Sequence, residues 1–196
     1  MNPDHTFRLA LIVIAFMMLP VLAYHRVQSQ ASGERLDRRQ EGLFILLTLR
    51  PIGLAMWLGV LAYMINPRSM AWSSFGLPEW LRWAGVGLGV IGATLLVWTL
   101  HNLGKNLTDT VVTRKAHTLV STGPYRFVRH PFYDAVTLYL AANALAAANW
   151  FLLLTGAAVV TLLAIRTRTE EEKLALRFGD AYRAYVSRTG RFLPRM

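Results

Sequence analysis

A chain of 196 residues holds one domain, two at most. Its residues are 54% hydrophobic and only 16% charged, which excludes an ordinary soluble domain. The absence of cysteine excludes disulfides, a thiol nucleophile and a cysteine-ligated metal. A net charge of +10, with a pI near 10.7, would suit nucleic acid. The cations, however, stand in blocks between apolar runs of membrane-spanning length, which the positive-inside rule explains better.

Leu9 to Tyr24 is the first apolar run. Arg8 alone precedes it and more cations follow, so it reads as an uncleaved first span rather than a signal peptide. His25 to Glu41 is polar, with Arg26, Arg35, Arg38 and Arg39. Leu43 to Ile65 is long enough to span. It carries Arg50 before Pro51, either a functional charge at depth or a snorkelling arginine near the inner face beside a proline kink. The second reading is favoured. Asn66 to Trp80, with Pro67, Pro78, Trp72, Phe75 and Trp80, reads as an interfacial turn. Leu81 to Leu103 is a third span, in which Gly85, Gly87, Gly89 and Gly92 allow a neighbouring helix to approach closely.

Gly104 to His130 is the longest polar connection. Val111-Val112-Thr113 suggests a short extended piece in it, and Leu119-Val120 a small apolar break. Phe132 to Ala148 and Trp150 to Ile165, of 17 and 16 residues, flank the single polar Asn149. They predict an antiparallel hairpin whose helices are only just long enough to cross a bilayer. From Arg166 onward the chain is charged. Leu174, Phe178, Ala181, Tyr182 and Tyr185 predict an amphipathic helix there, with Phe178-Gly179-Asp180 as a break. The 25–41 loop holds four Lys/Arg, the 104–131 loop five and the tail eight, together 17 of 21. The others are Arg8, Arg50, Arg68 and Arg82. Basic loops therefore alternate, which predicts five spans with the N-terminus outside and the C-terminus in the cytoplasm.

The chain is organised around Thr122 to Tyr133. Gly123-Pro124 marks a turn. Pro131 fits the first position of a helix, which leaves Arg129 and His130 at the helix mouth, beside unpaired amides and the positive end of its dipole. Such a place attracts a carboxylate or phosphate. The alternative is a loop that snorkels two cations at a membrane surface. On the tail, Arg166 and Glu170 lie four apart on one helix face. A guanidinium held by a carboxylate is a planar grip for a substrate carboxylate, whereas Arg168, Glu171, Glu172 and Lys173 beside it suggest an ordinary charge cluster. On pattern alone the cluster is the better account. The five histidines show no close metal-ligand spacing.

Taken in order, several segments resemble the isoprenylcysteine carboxyl methyltransferase family. They are His117-Thr118-Leu119-Val120, Gly123-Pro124-Tyr125, Arg129-His130-Pro131-Phe132-Tyr133, Asn149, Arg166 to Glu172, and Phe178-Gly179-Asp180 with Tyr182 and Tyr185. The resemblance covers roughly residues 100 to 194, and the upstream spans match only in hydropathy. It implies an all-α integral membrane enzyme of about five transmembrane helices, with a C-terminal amphipathic helix and a cytoplasmic cofactor-binding loop. Residues 1–103 would form the N-terminal spans and 104–196 the methyltransferase core of a single domain.

The implied cofactor is S-adenosylmethionine, surrounded by His117, Thr118, Leu119, Val120, Tyr125, His130, Pro131, Phe132 and Tyr133. Arg166 and Glu170 are implied to bind and orient the acceptor. Members often read G-x-N-W/F where this chain has Gly104-Lys105-Asn106-Leu107, so contacts from that segment do not carry over. The expected partners are the bilayer and a lipophilic or lipidated acceptor, not nucleic acid, with the site facing the cytoplasm. Alternatives are a phospholipid, amine or thiol methyltransferase, an NADPH-dependent enzyme like the membrane sterol reductases, and a non-enzymatic membrane subunit.

Overall fold

The computed structural model describes residues 3–30, 43–104 and 118–195. Five α-helices account for most of them: α1 (Pro3–Gln30), α2 (Leu43–Ile65), α3 (Glu79–Leu103), α4 (Pro131–Ala146) and α5 (Trp150–Arg188). His117 and the expected extended piece at Val111-Val112-Thr113 lie outside the described residues. α1, α2, α3 and α5 are long and apolar enough to cross a membrane. Large apolar side chains such as Phe16, Leu47, Leu54, Val90 and Ile91 are exposed on them, the surface a helix presents to lipid rather than to water. The short fourth run is α4, whose 16 residues cover about 24 Å at 1.5 Å per residue.

α4 packs along α3, and three of the four α3 glycines permit it. A Cβ on Gly85 would stand 2.8 Å from the Ala146 backbone nitrogen. On Gly89 it would meet the Ala142 side chain at 3.3 Å, and on Gly92 the Leu138 side chain at 3.0 Å. Gly87 faces no neighbour within 4 Å. α5 lies against α4 and α2, with Gly59 seated on Phe151 and Leu152. Leu11, Met56, Val60, Leu96, Leu100, Leu140 and Leu152 fill the space between the helices. Arg50 sits exposed on α2, seven residues from the helix start.

At one end of the bundle Asn149 ties the α4–α5 turn to the Pro67–Ser73 turn. It caps α5 by accepting from the Leu152 amide at 3.0 Å, and its amide nitrogen donates to Ser73 and Met70 of the 3-10 turn Pro67–Ser73. At the other end the structure differs from the sequence reading. α5 does not stop near Ile165 and restart. It runs on through Arg166 and bends only at Gly179, whose φ of 52° is the left-handed region that favours glycine. The apolar, spanning part of α5 is therefore its first half, and the charged half projects beyond it. The bend turns Tyr182 and Tyr185 inward and leaves Ala181 exposed.

Candidate active site at the basic end

Pro131 occupies the first position of α4, with His130 as the cap residue, as the sequence predicts. Upstream, Gly123 (φ 57°) opens a 3-10 turn, Gly123–Arg126, that buries Tyr125. The Tyr125 carbonyl accepts a 2.7 Å hydrogen bond from Tyr185, so the helix beyond the Gly179 bend holds this turn in place. Burial first, then the Glu170 carboxylate and Tyr185, push the Tyr125 phenol well above its ordinary value and keep it protonated.

The anion expected at the α4 mouth is present, and it belongs to the chain. The Glu171 carboxylate accepts from Arg129 Nε at 2.8 Å, from His130 Nε2 at 3.1 Å and from both Arg191 Nε and Nη2. A carboxylate only accepts, so His130 carries its proton on Nε2. The amides expected to be open are also taken: Arg129 donates to the Gly190 carbonyl at 2.9 Å and His130 to that of Arg191 at 3.1 Å. This corrects the sequence reading. Arg129 and His130 do not wait for a ligand anion here but fasten residues 190–191 and α5 to the start of α4. Burial alone would raise the Glu171 pKa. The hydrogen bonds from His130, Arg191 and Arg129 outweigh it and hold the carboxyl well below the usual carboxylate range. The same contact raises Arg191.

Beside this knot on α5, Glu170 immediately precedes Glu171 and Arg166 lies one turn earlier, both half-buried. Tyr133 donates to Glu170 Oε2 at 2.8 Å, and the Arg166 guanidinium acts electrostatically on that hydroxyl. His130 stacks parallel to Tyr133, ring centres 5.5 Å apart, and Phe132 meets the same ring edge-on. Arg166, Glu170, Tyr125, His130, Pro131, Phe132 and Tyr133 thus converge at one end of the α4–α5 pair. Thr118 is exposed, and Leu119 and Val120 are half-buried.

The supposed charge cluster divides. Arg168 and Glu172 are exposed, while Glu171 is 13% exposed and central. Sequence reasoning passed over Glu171, Arg191 and Thr189, whose carbonyl accepts from Arg129 Nη1. The available signal was the Arg129-His130 pair, a cation beside a second hydrogen-bond donor, which together require an acceptor once buried. Another group is poised for a polar ligand: the Tyr182 hydroxyl is buried and has no hydrogen-bond partner among the described residues.

The fold and this site define a polytopic helical membrane protein with a buried polar centre at the basic end of a helical hairpin. Residues 85–176, just under half of the chain, match the model of the isoprenylcysteine carboxyl methyltransferase (ICMT) family. The chain is 30% identical to the protein-S-isoprenylcysteine O-methyltransferases of Rattus norvegicus, over 127 residues, and of Homo sapiens, over 133. Each match covers 63% of this chain and 44% of the relative, so it spans less than half the relatives' length.

Proposed function

We propose that the protein is a membrane methyltransferase that uses S-adenosylmethionine to methylate a lipophilic acceptor, foremost a carboxylate, with its site facing the cytoplasm. The observation that supports this most is the conjunction of Arg166 and Glu170, one turn apart where the apolar part of α5 ends, with Tyr133 donating to Glu170. A lipid-soluble substrate can leave its tail in the bilayer and bring a polar head to this level.

Bound S-adenosylmethionine supplies an electrophilic methyl group on a sulfonium. Tyr125, His130, Phe132, Tyr133 and Tyr182 would hold it, with Thr118, Leu119, Val120 and His117 as the further contacts the family resemblance implies. Arg166 grips an ionised carboxylate through its planar fork, and Glu170, steadied by Tyr133, orients the guanidinium. Attack by a carboxylate that is already ionised requires no general base. The work of these residues is to position the acceptor and exclude water.

The test is methyl transfer from labelled S-adenosylmethionine to a prenylcysteine acid. Arg166→Lys keeps the charge and loses the fork, so it should lower the rate about 10- to 150-fold, the worth of one charge-assisted hydrogen bond. Cofactor affinity should barely change, and Arg168→Ala should be nearly silent. A fully active Arg166→Lys enzyme would remove the bidentate grip and point to an amine or thiol acceptor.

A further inference from the structure

The end of the bundle opposite Arg166 and Glu170 contains a cavity of about 680 Å³. It lies between the start of α1, the end of α2, the Pro67–Ser73 turn, the start of α3 and the α4–α5 turn. Its charged lining is Arg8, Arg68 and Arg82, with His5, against the single acid Asp4. The positive-inside bias disfavours cations at this end, and 17 of the chain's 21 Lys/Arg obey it. Of the four that do not fall in the basic segments, Arg50 lies near the basic end of α2. The other three all line this one cavity.

Two of the arginines are held rather than loose, and Arg68 stands exposed at the mouth. Arg82 is 8% exposed, rests on the Phe7 ring at 4.1 Å, donates from Nε to the Ala146 carbonyl at 2.9 Å and pairs with Asp4 at 2.8 Å. Arg8 Nε donates to the Met64 carbonyl. Fixed guanidinium groups lose little entropy when they accept a ligand. Three helices, α1, α3 and α5, also begin at this end and turn their positive dipole ends toward it. Exposed Trp72, Trp80, Trp83 and Trp150 ring the same level, where tryptophan sits at lipid headgroups.

We propose that this cavity is a binding site for a phosphate-bearing anion of the class presented by an acidic phospholipid headgroup. Arg8 and Arg68 grip the phosphate, and the Asp4–Arg82 pair forms the floor. The site is separate from the methyl-transfer centre and does not depend on that assignment.

The experiment is tryptophan fluorescence titration of the full chain in neutral detergent with phosphatidylglycerol, phosphatidylcholine and inorganic phosphate. Arg8→Gln/Arg68→Gln, the exposed single change Arg68→Gln and the remote control Arg183→Gln are compared, each first shown to melt like the parent. Phosphatidylglycerol should bind the parent and Arg183→Gln alike. It should bind the double variant at least about 10-fold more weakly and Arg68→Gln by an intermediate amount. Inorganic phosphate binding as tightly, with the same arginine dependence, would support the anion site and assign it to a soluble phosphate. Unchanged phosphatidylglycerol affinity in the double variant, or equal affinity for phosphatidylcholine, would overturn the proposal.

Discussion

Glu171→Gln is the sharpest test of how the basic end is held together. The substitution keeps shape and volume but removes the charge that Arg129, His130 and Arg191 share. A hydrogen bond to a charged group contributes about 1.5–3 kcal/mol and a neutral one about 0.5–1.5, so weakening the three on Oε1 costs about 3 kcal/mol, and the fourth, from Arg191 Nη2, meets the amide NH2 and is lost. Breaking a buried pair outright costs about 3–5 kcal/mol, an upper bound here because Gln still accepts.

For a chain of this size, about 3 kcal/mol lowers the melting temperature by about 6–12 °C. The pH dependence has a definite sign. The folded-state pKa of Glu171 lies below its ordinary value of 4.5. The unfolded chain therefore binds more protons as the pH drops through that value, and stability falls with it. The contribution is complete above the ordinary value and is lost as the pH drops well below it. The parent and Glu171→Gln melting curves should thus converge on acidification. Six tryptophans make intrinsic fluorescence in detergent a convenient readout. Glu172→Gln, on an exposed neighbour, is the control. A Glu171→Gln protein that melts within about 2 °C of the parent at neutral pH would refute the argument.

Two further outcomes are expected. Gly85→Ala pushes a methyl against the Ala146 backbone and should destabilise the α3–α4 pair by about 1–3 kcal/mol. Gly87→Ala, in open space, should be neutral or stabilising by up to about 1 kcal/mol, and equal melting temperatures for the two variants would contradict the packing described. Reporter fusions after Arg195 and within the Pro67–Ser73 turn should report opposite sides of the membrane, and same-side signals would refute the alternating topology.

The spanning helices were legible because their signal is local: long apolar runs between basic segments. Pro131 and Gly179 were legible for the same reason, since each acts on its own backbone. Glu171 was not. Its role depends on Arg129, 42 residues earlier, and on Arg191, 20 residues later, meeting at one point. In one dimension it is the middle of three glutamates, and nothing there separates it from exposed Glu172. The α3 glycines were read correctly as a contact surface, but only the third dimension shows that Gly87 points away from it. Asn149 was visible as a lone polar residue. Its partners Ser73 and Met70 lie more than 70 residues away, so its role as cap and tie came from the fold.

The brevity of α4 has a consequence for the surrounding lipid. A typical hydrocarbon core is about 30 Å thick and α4 covers about 24 Å, so its ends together fall ~6 Å short of the two boundaries. Packed between longer neighbours, with half its residues buried, α4 need not thin the bilayer to hide that deficit. At its first turn protein covers the shortfall: residues 190–191 are fastened to Arg129 and His130, Phe192 lies against the His130 ring, and α5 projects beyond.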